Sequence, residues 1–320
     1  MQRERLAIAS NLQCPLCQRP SGQPFHFGIR GDPEWPVYRC ANCGLRFIPP
    51  KIADPQAYYR DGAYGLQHSS VIGKVLSPKE KFDFMSPLIA LQVELFKRVV
   101  PKGAKVLEIG CASGYFLNAI RQDYTVWGNE WNTDEADFVS SELGIPCSTE
   151  PLEEAFQGEK FTAICAFQVL EHIADPLAWL KLVKSRLIGG GWIYLEVPNV
   201  DDALVSIYDL PEFKQFYYRD CHLTYWDMET LGNTLGAVGF EARVVGRQRY
   251  SLFNHLHWLM RREPQADLRV ASYPFGLPRE HPAAPFLNEF YARADRDYRQ
   301  RLDKLKACDT LIGVGVKREI

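Results

Sequence analysis

From Lys105 onward the chain alternates short apolar runs with stretches of helical spacing, a rhythm that restricts its fold more than any other feature. Strand candidates are 105–110 (KVLEIG), 125–130 (TVWGNE), 161–167 (FTAICAF) and 191–197 (GWIYLEV). Helical stretches at 114–122, 133–143 and 175–188 separate them. Strands joined through helices return to the sheet in the same direction, so the expected fold is α/β, a parallel sheet covered on both faces. Asp175-Pro176 opens the third helix with a side-chain acceptor and a proline at the first helical position. Asp227 can cap a further helix carrying Leu231, Leu235 and Val238 and stopped by Gly239. A strand at 240–246 (FEARVVG) follows, then an aromatic, proline-broken stretch at 250–308. The chain closes on 310–316 (TLIGVGV), which alternates like a strand.

Before this core lie two other compositions. Residues 1–50 are rich in Pro and Gly and hold Cys14-Pro-Leu-Cys17 and Cys40-Ala-Asn-Cys43. Each C-x2-C turn brings two thiolates to one ion, and two such turns complete a tetrahedral all-sulfur site. With no open coordination position, the Zn2+ expected on Cys14, Cys17, Cys40 and Cys43 is structural. Gly44 follows the second pair, where a knuckle turn favours a residue tolerant of positive φ. Residues 51–100 begin aromatic (AYYRDGAYG, 57–65) and become helical from about Pro78 to Val100, with Leu88, Leu91, Leu95 and Val99 at helical spacing. The expected division is a zinc module over 1–50, a helical and aromatic linker over 51–100, and a core over 101–320 with an insertion at about 250–308.

Charge and hydropathy weigh against several classes of partner. The 320 residues carry a formal net charge of −2, so bulk electrostatics draw the chain to neither nucleic acid nor an anionic membrane. The first apolar stretch, Leu6 to Ala9, is too short for an export-signal core. No run approaches the roughly 18 apolar residues of a membrane span. The nine cysteines then read as metal ligands or buried thiols, and the expected compartment is the cytoplasm.

The turn Gly110-Cys111-Ala112-Ser113-Gly114 is the most informative segment. It follows an apolar strand ending in Glu108 and opens a helix, and its small residues let backbone approach a ligand. Glu130 ends the next strand, about 20 residues on, where an acid takes ribose hydroxyls in dinucleotide folds. Glu108 discriminates between ligands. A carboxylate there repels a pyrophosphate but suits a sulfonium cofactor bearing an ammonium group.

LEIGCASGYFL, VWGNE, FQVLEHIADP, IYLEVPN and TLGAVGF together resemble the class I S-adenosylmethionine-dependent methyltransferases, most of all the branch acting on sugars and related metabolites. The resemblance implies a Rossmann-like sheet in the order 3-2-1-4-5-7-6 with an antiparallel last strand, which 310–316 would supply. It implies S-adenosyl-L-methionine held by Glu108, Gly110, Cys111, Ala112 and Gly114, with Glu130 on the ribose. Trp131, Glu150 and Leu152 would meet the adenine, and Gln168 and Val169 the methionyl side. A tyrosine lid is also implied, with Tyr64 as its cofactor contact and Tyr58 and Tyr59 beside it; packing against the core is the alternative for this cluster.

Methyl transfer needs an aligned nucleophile and, for most acceptors, a base. His172 follows the fourth strand and His222 lies beyond the fifth. The segment Cys221-His-Leu-Thr-Tyr is similar to the Glu-His-Leu-Ser-Tyr stretch of sugar C-methyltransferases, with Cys221 in place of the glutamate. That departure favours a hydroxyl acceptor over carbon. His255 and His257 point to different helix faces and read as core of the insertion; Arg247, Arg249, Arg261 and Arg262 could meet a phosphate. The expected substrate is a small molecule or glycan precursor. Methylation of ribosomal or transfer RNA through the zinc module is the rival enzymatic reading. Against it, Arg19, Arg30, Arg39 and Arg46 there are offset by Asp32 and Glu34. A non-catalytic cofactor-binding scaffold is the third reading.

Overall fold

A computed structural model describes residues 12–20, 22–52, 55–60, 75–265 and 267–318. Its strands are β1 (Gly22–Ile29), β2 (Asp32–Cys40), β3 (Arg46–Phe47), β4 (Lys105–Ile109), β5 (Thr125–Asn129) and β6 (Cys147–Ser148). They continue as β7 (Phe161–Phe167), β8 (Leu187–Pro198), β9 (Thr224–Tyr225), β10 (Phe240–Arg247) and β11 (Thr310–Lys317). The chain divides into two compact units. One holds the described residues up to Pro49 with Pro198–Met228 and Val245–Leu311; the other holds those of Pro50–Val197, Glu229–Val244 and the chain from Ile312.

A seven-stranded sheet runs β10-β11-β8-β7-β4-β5-β6. β4 pairs in parallel with β5 and β7, β5 with β6, and β7 with β8. Numbered within the core, this is the order 3-2-1-4-5-7-6 expected from the resemblance. Lys317 Nζ donates to the Leu187 carbonyl (2.7 Å) and the Arg318 amide to that of Gly239 (3.3 Å). The end of β11 thus lies at the starts of β8 and β10, and β11 runs opposite to both. Val106, Leu107, Ile164 and Ile193 are fully buried, as central parallel strands covered on both faces require. Phe96 packs edge-on against Phe116, Tyr124 and Tyr194 at 5.2, 5.6 and 5.4 Å, extending this core to the helix Ala90–Lys97.

Two elements differ from the expectation. The helical run from Pro78 is broken into Pro78–Met85, a 3-10 turn Ser86–Ile89 and Ala90–Lys97, because Pro87 lacks an amide hydrogen. The fifth core strand begins at Leu187 and not at 191, since Leu187 pairs with Phe161 and Trp192 with Ala163. Ile188 to Gly191 therefore form a bulge, and Gly190 accommodates its left-handed turn at φ +67°.

In the other unit, β1 and β2 form an antiparallel hairpin, and β3 joins β2 to β9, with Arg46 opposite Tyr225 and Phe47 opposite Thr224. Arg46, 9% exposed, pairs with Asp227 and with Asp201 at 3.3 Å. A buried guanidinium next to two carboxylates fixes this register, since losing either acid leaves a cation short of charge.

The stretch 250–308 forms helices at Leu252–Arg261, Leu268–Ser272 and Ala284–Lys304. Arg299 donates to the carbonyls of Gln248, Arg249 and Ser272 (2.8, 2.8 and 2.9 Å) and to Asp295 (2.8 Å). Beside it His255, 1% exposed, contacts Tyr298 Oη at 2.7 Å and Gln248 Nε2 at 3.2 Å. This histidine is insertion core. Burial, reinforced by Arg299, pushes its pKa down to about 4, from 6.5 for a free imidazole. Between those values the unfolded chain binds the extra proton, so stability present above pH 6.5 is lost as pH falls towards 4. The expected loss is on the order of 3 kcal/mol. Buried Asp202 and Asp309, whose carboxyls are raised by burial, act in the opposite sense. Denaturant unfolding of wild type and His255→Asn at pH 7 and 4.5 isolates the histidine: the variant should lose the smaller share, and equal losses would contradict the assignment.

Candidate functional site

At the carboxyl end of β4 the chain turns through Gly110, Ala112 and Gly114 at φ +70°, +47° and +71°. A left-handed alanine is disfavoured by about 1–2 kcal/mol, so something must hold Ala112 there. Its amide donates to Glu130 Oε2 (2.9 Å), while Asn132 N donates to Oε1 (2.9 Å). Glu130 therefore fastens the turn to the end of β5. Burial raises its carboxyl, and the two amides oppose that shift. Behind the turn, buried Ser113 donates to Glu135 Oε2, and Lys81 Nζ donates to Oε1 at 2.5 Å. Sequence reasoning missed Ser113, Glu135 and Lys81. The available signal was Asn132, whose side chain caps the helix Thr133–Ser141 by accepting from Glu135 N at 3.0 Å.

Asn129, also missed, donates from Nδ2 to the carbonyls of Ser148 (2.9 Å) and Glu150 (2.8 Å). That clamp brings the Glu150 loop to the end of β5, with Leu152 buried behind it. Cys111 lies inside the turn, its sulfur 3.8 Å from that of Cys147. Gly128 makes room for both, because a Cβ there would stand 2.7 Å from one sulfur and 3.1 Å from the other.

Among the buried polar atoms with no hydrogen-bond partner among the described residues are Glu108 Oε2 at the end of β4 and Gln168 Nε2 at the exit of β7. They are of opposite character, one an acceptor and one a donor. Burial, then the nearby charges of Glu130 and Cys147, hold the Glu108 carboxyl well above the carboxylate range. Gln168 is itself left-handed, at φ +58°. Next to it Val169 Cγ2 lies 2.7 Å from where a Cβ on residue 110 would stand, so only glycine fits. An orphaned acceptor and an orphaned donor at neighbouring strand ends could bond a ligand that carries both a cation and an anion.

His172 ends a 3-10 turn, Leu170–His172, and its Nδ1 lies 2.7 Å from Tyr59 Oη. Tyr59, in the helix Pro55–Arg60, also meets the Trp131 ring at 6.2 Å and Tyr58 edge-on at 5.3 Å. Tyr64, the expected cofactor contact of the lid, lies outside the described residues. His222 belongs to the other unit. It is 8% exposed, with its ring 6.1 Å from Tyr225, whose hydroxyl bridges the amide and carbonyl of Arg219 (2.9 and 3.1 Å). Arg261 and Arg262 pair with Glu263 (3.6 Å) and Glu212 (3.9 Å).

The four N-terminal cysteines converge, their sulfurs all within 4.8 Å of one another. Cys14 and Cys43 stand 3.6 Å apart, as do Cys17 and Cys40. Tetrahedral thiolates at about 2.3 Å from zinc stand about 3.8 Å from each other, so the spacing suits that ion. The amides of Asn42 and Cys43 point at Cys40 Sγ (3.4 Å each), and Gly44 turns at φ +79°. These are the bonds and the backbone that a metal-binding cysteine knuckle would use.

No helix among the described residues is long and apolar enough to cross a membrane. Comparison with curated proteins finds ubiquinone biosynthesis O-methyltransferases. That of Dinoroseobacter shibae is 34% identical over 99 residues, 28% of this chain and 39% of the relative. That of Actinobacillus pleuropneumoniae is 28% identical over 109 residues, 30% of this chain and 47% of the relative. The chain thus spans less than half the length of these relatives. Among solved structures, the complex between the Haloferax volcanii Trm112 methyltransferase activator and a methyltransferase contains a similar chain. Its TM-score is 0.50 at 14% identity, covering 82% of this chain and 98% of that one, a likeness of fold alone. The methyltransferase-domain profile matches residues 78–244, just over half of the chain. On that match and on the strand order of its sheet, the chain belongs to the methyltransferase-domain family and has the class I S-adenosylmethionine-dependent methyltransferase fold.

Proposed function

We propose that the chain is an S-adenosylmethionine-dependent methyltransferase acting on a hydroxyl of a small metabolite, a sugar or glycan precursor, with a structural zinc in its cysteine site. The observation that carries the cofactor reading is the orphaned pair Glu108 Oε2 and Gln168 Nε2 beside a left-handed turn. An acceptor and a donor at neighbouring strand ends match the ammonium and carboxylate of a methionyl group. Glu108 then ionises against a cation, which removes the cost of burying it alone. Glu130 retains free lone pairs for ribose hydroxyls while holding Ala112 and Asn132. Trp131, Glu150 and Leu152 flank the adenine side, and Val169 closes the methionyl side.

When bound, the cofactor supplies an electrophilic methyl on a sulfonium. This chain's residues must exclude water, orient the acceptor and take its proton. His222 and His172 are the proposed bases. The hydroxyl acceptor is favoured by Cys221 at the position of a C-methyltransferase glutamate, and relatives named as O-methyltransferases agree with it. Zinc would hold the knuckles together and take no part in transfer.

Labelled methyl transfer into a nucleotide-sugar or glycan extract tests the reading. Incorporation there supports it, and incorporation confined to RNA replaces it with the RNA reading. His222→Ala should lower turnover about 100-fold or more with little change in cofactor affinity. Unchanged turnover would remove His222 from the site.

A further inference from the structure

Cys111 and Cys147 lie outside the four-cysteine site, and their sulfurs stand 3.8 Å apart, in van der Waals contact. Both sulfurs lie over the same face of β5. A Cβ on Gly128 would meet that of Cys111 at 2.7 Å and that of Cys147 at 3.1 Å, so a larger residue there would part them. Gly128 is also the register partner of Cys147 across the parallel β5–β6 pair. Cys111 is 1% exposed, whereas Cys147 is only half-buried and opens the pair to solvent. Each sulfur is tied to a different part of the proposed nucleoside site. Cys111 precedes Ala112, whose amide Glu130 holds, and its carbonyl accepts from Gly114 N at 2.9 Å. Cys147 precedes Ser148, whose carbonyl Asn129 Nδ2 clamps together with that of Glu150. A disulfide needs its sulfurs at about 2.05 Å, and in a close-packed interior closing that gap draws the turn and the Glu150 loop together.

We propose that Cys111 and Cys147 are a redox pair: a hydroperoxide joins them in a disulfide that distorts the glycine turn and weakens S-adenosylmethionine binding. The effect on the cofactor rests on the methyltransferase reading given above; the disulfide itself does not. Cys147, the exposed partner, attacks one peroxide oxygen. The O–O bond breaks, the proton lost from the thiol goes to the leaving oxygen, and a sulfenic acid remains on Cys147. Contact with the Cys147 sulfur, then burial, holds the Cys111 thiol well above its ordinary range, so it stays protonated until this point. Its sulfur then attacks the sulfenic sulfur, the S–S bond forms, the S–O bond breaks, and the departing hydroxide takes the Cys111 proton. With hydrogen peroxide, two thiols and one peroxide give one disulfide and two waters; the sulfurs are oxidised by two electrons and the peroxide is reduced by two. Reduction by a dithiol reverses the bond.

The test treats the full chain with hydrogen peroxide, blocks the remaining thiols, and maps tryptic peptides by mass. Peptide 106–121, which holds Cys111, should be found joined to 122–160, which holds Cys147. S-adenosylmethionine affinity, by calorimetry, should fall about 10-fold or more on oxidation and return with dithiothreitol. Linkage then requires saturating cofactor to make the disulfide harder to form by the same factor, a shift of about 30 mV in its potential for each 10-fold. Cys147→Ser and Cys147→Ala keep all four N-terminal cysteines, so oxidation at those thiols acts on the variants as on wild type. Reduced, both should bind the cofactor as wild type does, and under peroxide they should keep that affinity. Absence of the joined peptides, an affinity unchanged by oxidation, or a peroxide loss shared by both variants would each overturn the proposal. A reduced wild type that binds no S-adenosylmethionine overturns the methyltransferase reading and the affinity effect with it, while the mapped link still decides whether the two cysteines are a redox pair.

Discussion

Removing the zinc proposed for the four-cysteine site, by chelation or by Cys40→Ser, is expected to unfold β1, β2 and β3. Zinc binding to such sites is worth about 10–16 kcal/mol, comparable to or larger than the whole stability of a typical domain, about 5–15 kcal/mol. The hairpin exposes Phe25 and Phe27, and β3 and β9 are two residues each, so the cluster of Ile29, Val37, Ile48, Val200, Tyr218, Leu223 and Tyr225 is the core left to oppose that loss. Cys40 is the most informative ligand to change, because it ends β2 and accepts both knuckle amides. Amide exchange should accelerate across Gly22–Phe47 while the seven-stranded sheet, with its own core, stays protected. One zinc per chain by elemental analysis is the companion result. Protein that carries no zinc and keeps the hairpin protected would refute the assignment.

Glu130→Ala should weaken S-adenosylmethionine binding by about 100-fold, measured by calorimetry. Two effects add. The variant loses the charge-assisted hydrogen bonds proposed to the ribose, each worth about 1.5–3 kcal/mol. It also leaves the amides of Ala112 and Asn132 without their carboxylate, and Ala112 has no other reason to remain left-handed at φ +47°. Glu130→Gln, which can accept one of the two amides, should fall between. An affinity unchanged by Glu130→Ala would place the ribose elsewhere.

The alternation of strand and helix and the place of the turn were legible because they depend on local signals, while the order of the sheet came from the family resemblance. β4 is a buried apolar run, Gly110 and Gly114 sit where positive φ is needed, and Asp175 caps the helix Pro176–Arg186 by accepting from Ala178 N at 2.9 Å. The cysteine pairs were legible for the same reason, since metal-ligand spacing is set by a turn of a few residues. Strand and helix limits were less so. A proline inside 78–100 and three glycines at 189–191 act through hydrogen bonds that periodicity does not record.

By itself, then, the sequence determined the parallel α/β sheet, the two C-x2-C turns and the acid-bearing glycine turn, because each follows from neighbours along the chain. Only the tertiary structure decided that β9 completes the N-terminal sheet, that Glu130 holds Ala112, that Asn129 clamps the Glu150 loop, and that Tyr59 reaches both Trp131 and His172. These contacts join residues far apart in sequence, and no local pattern encodes a partner whose distance is set by how strands and helices pack.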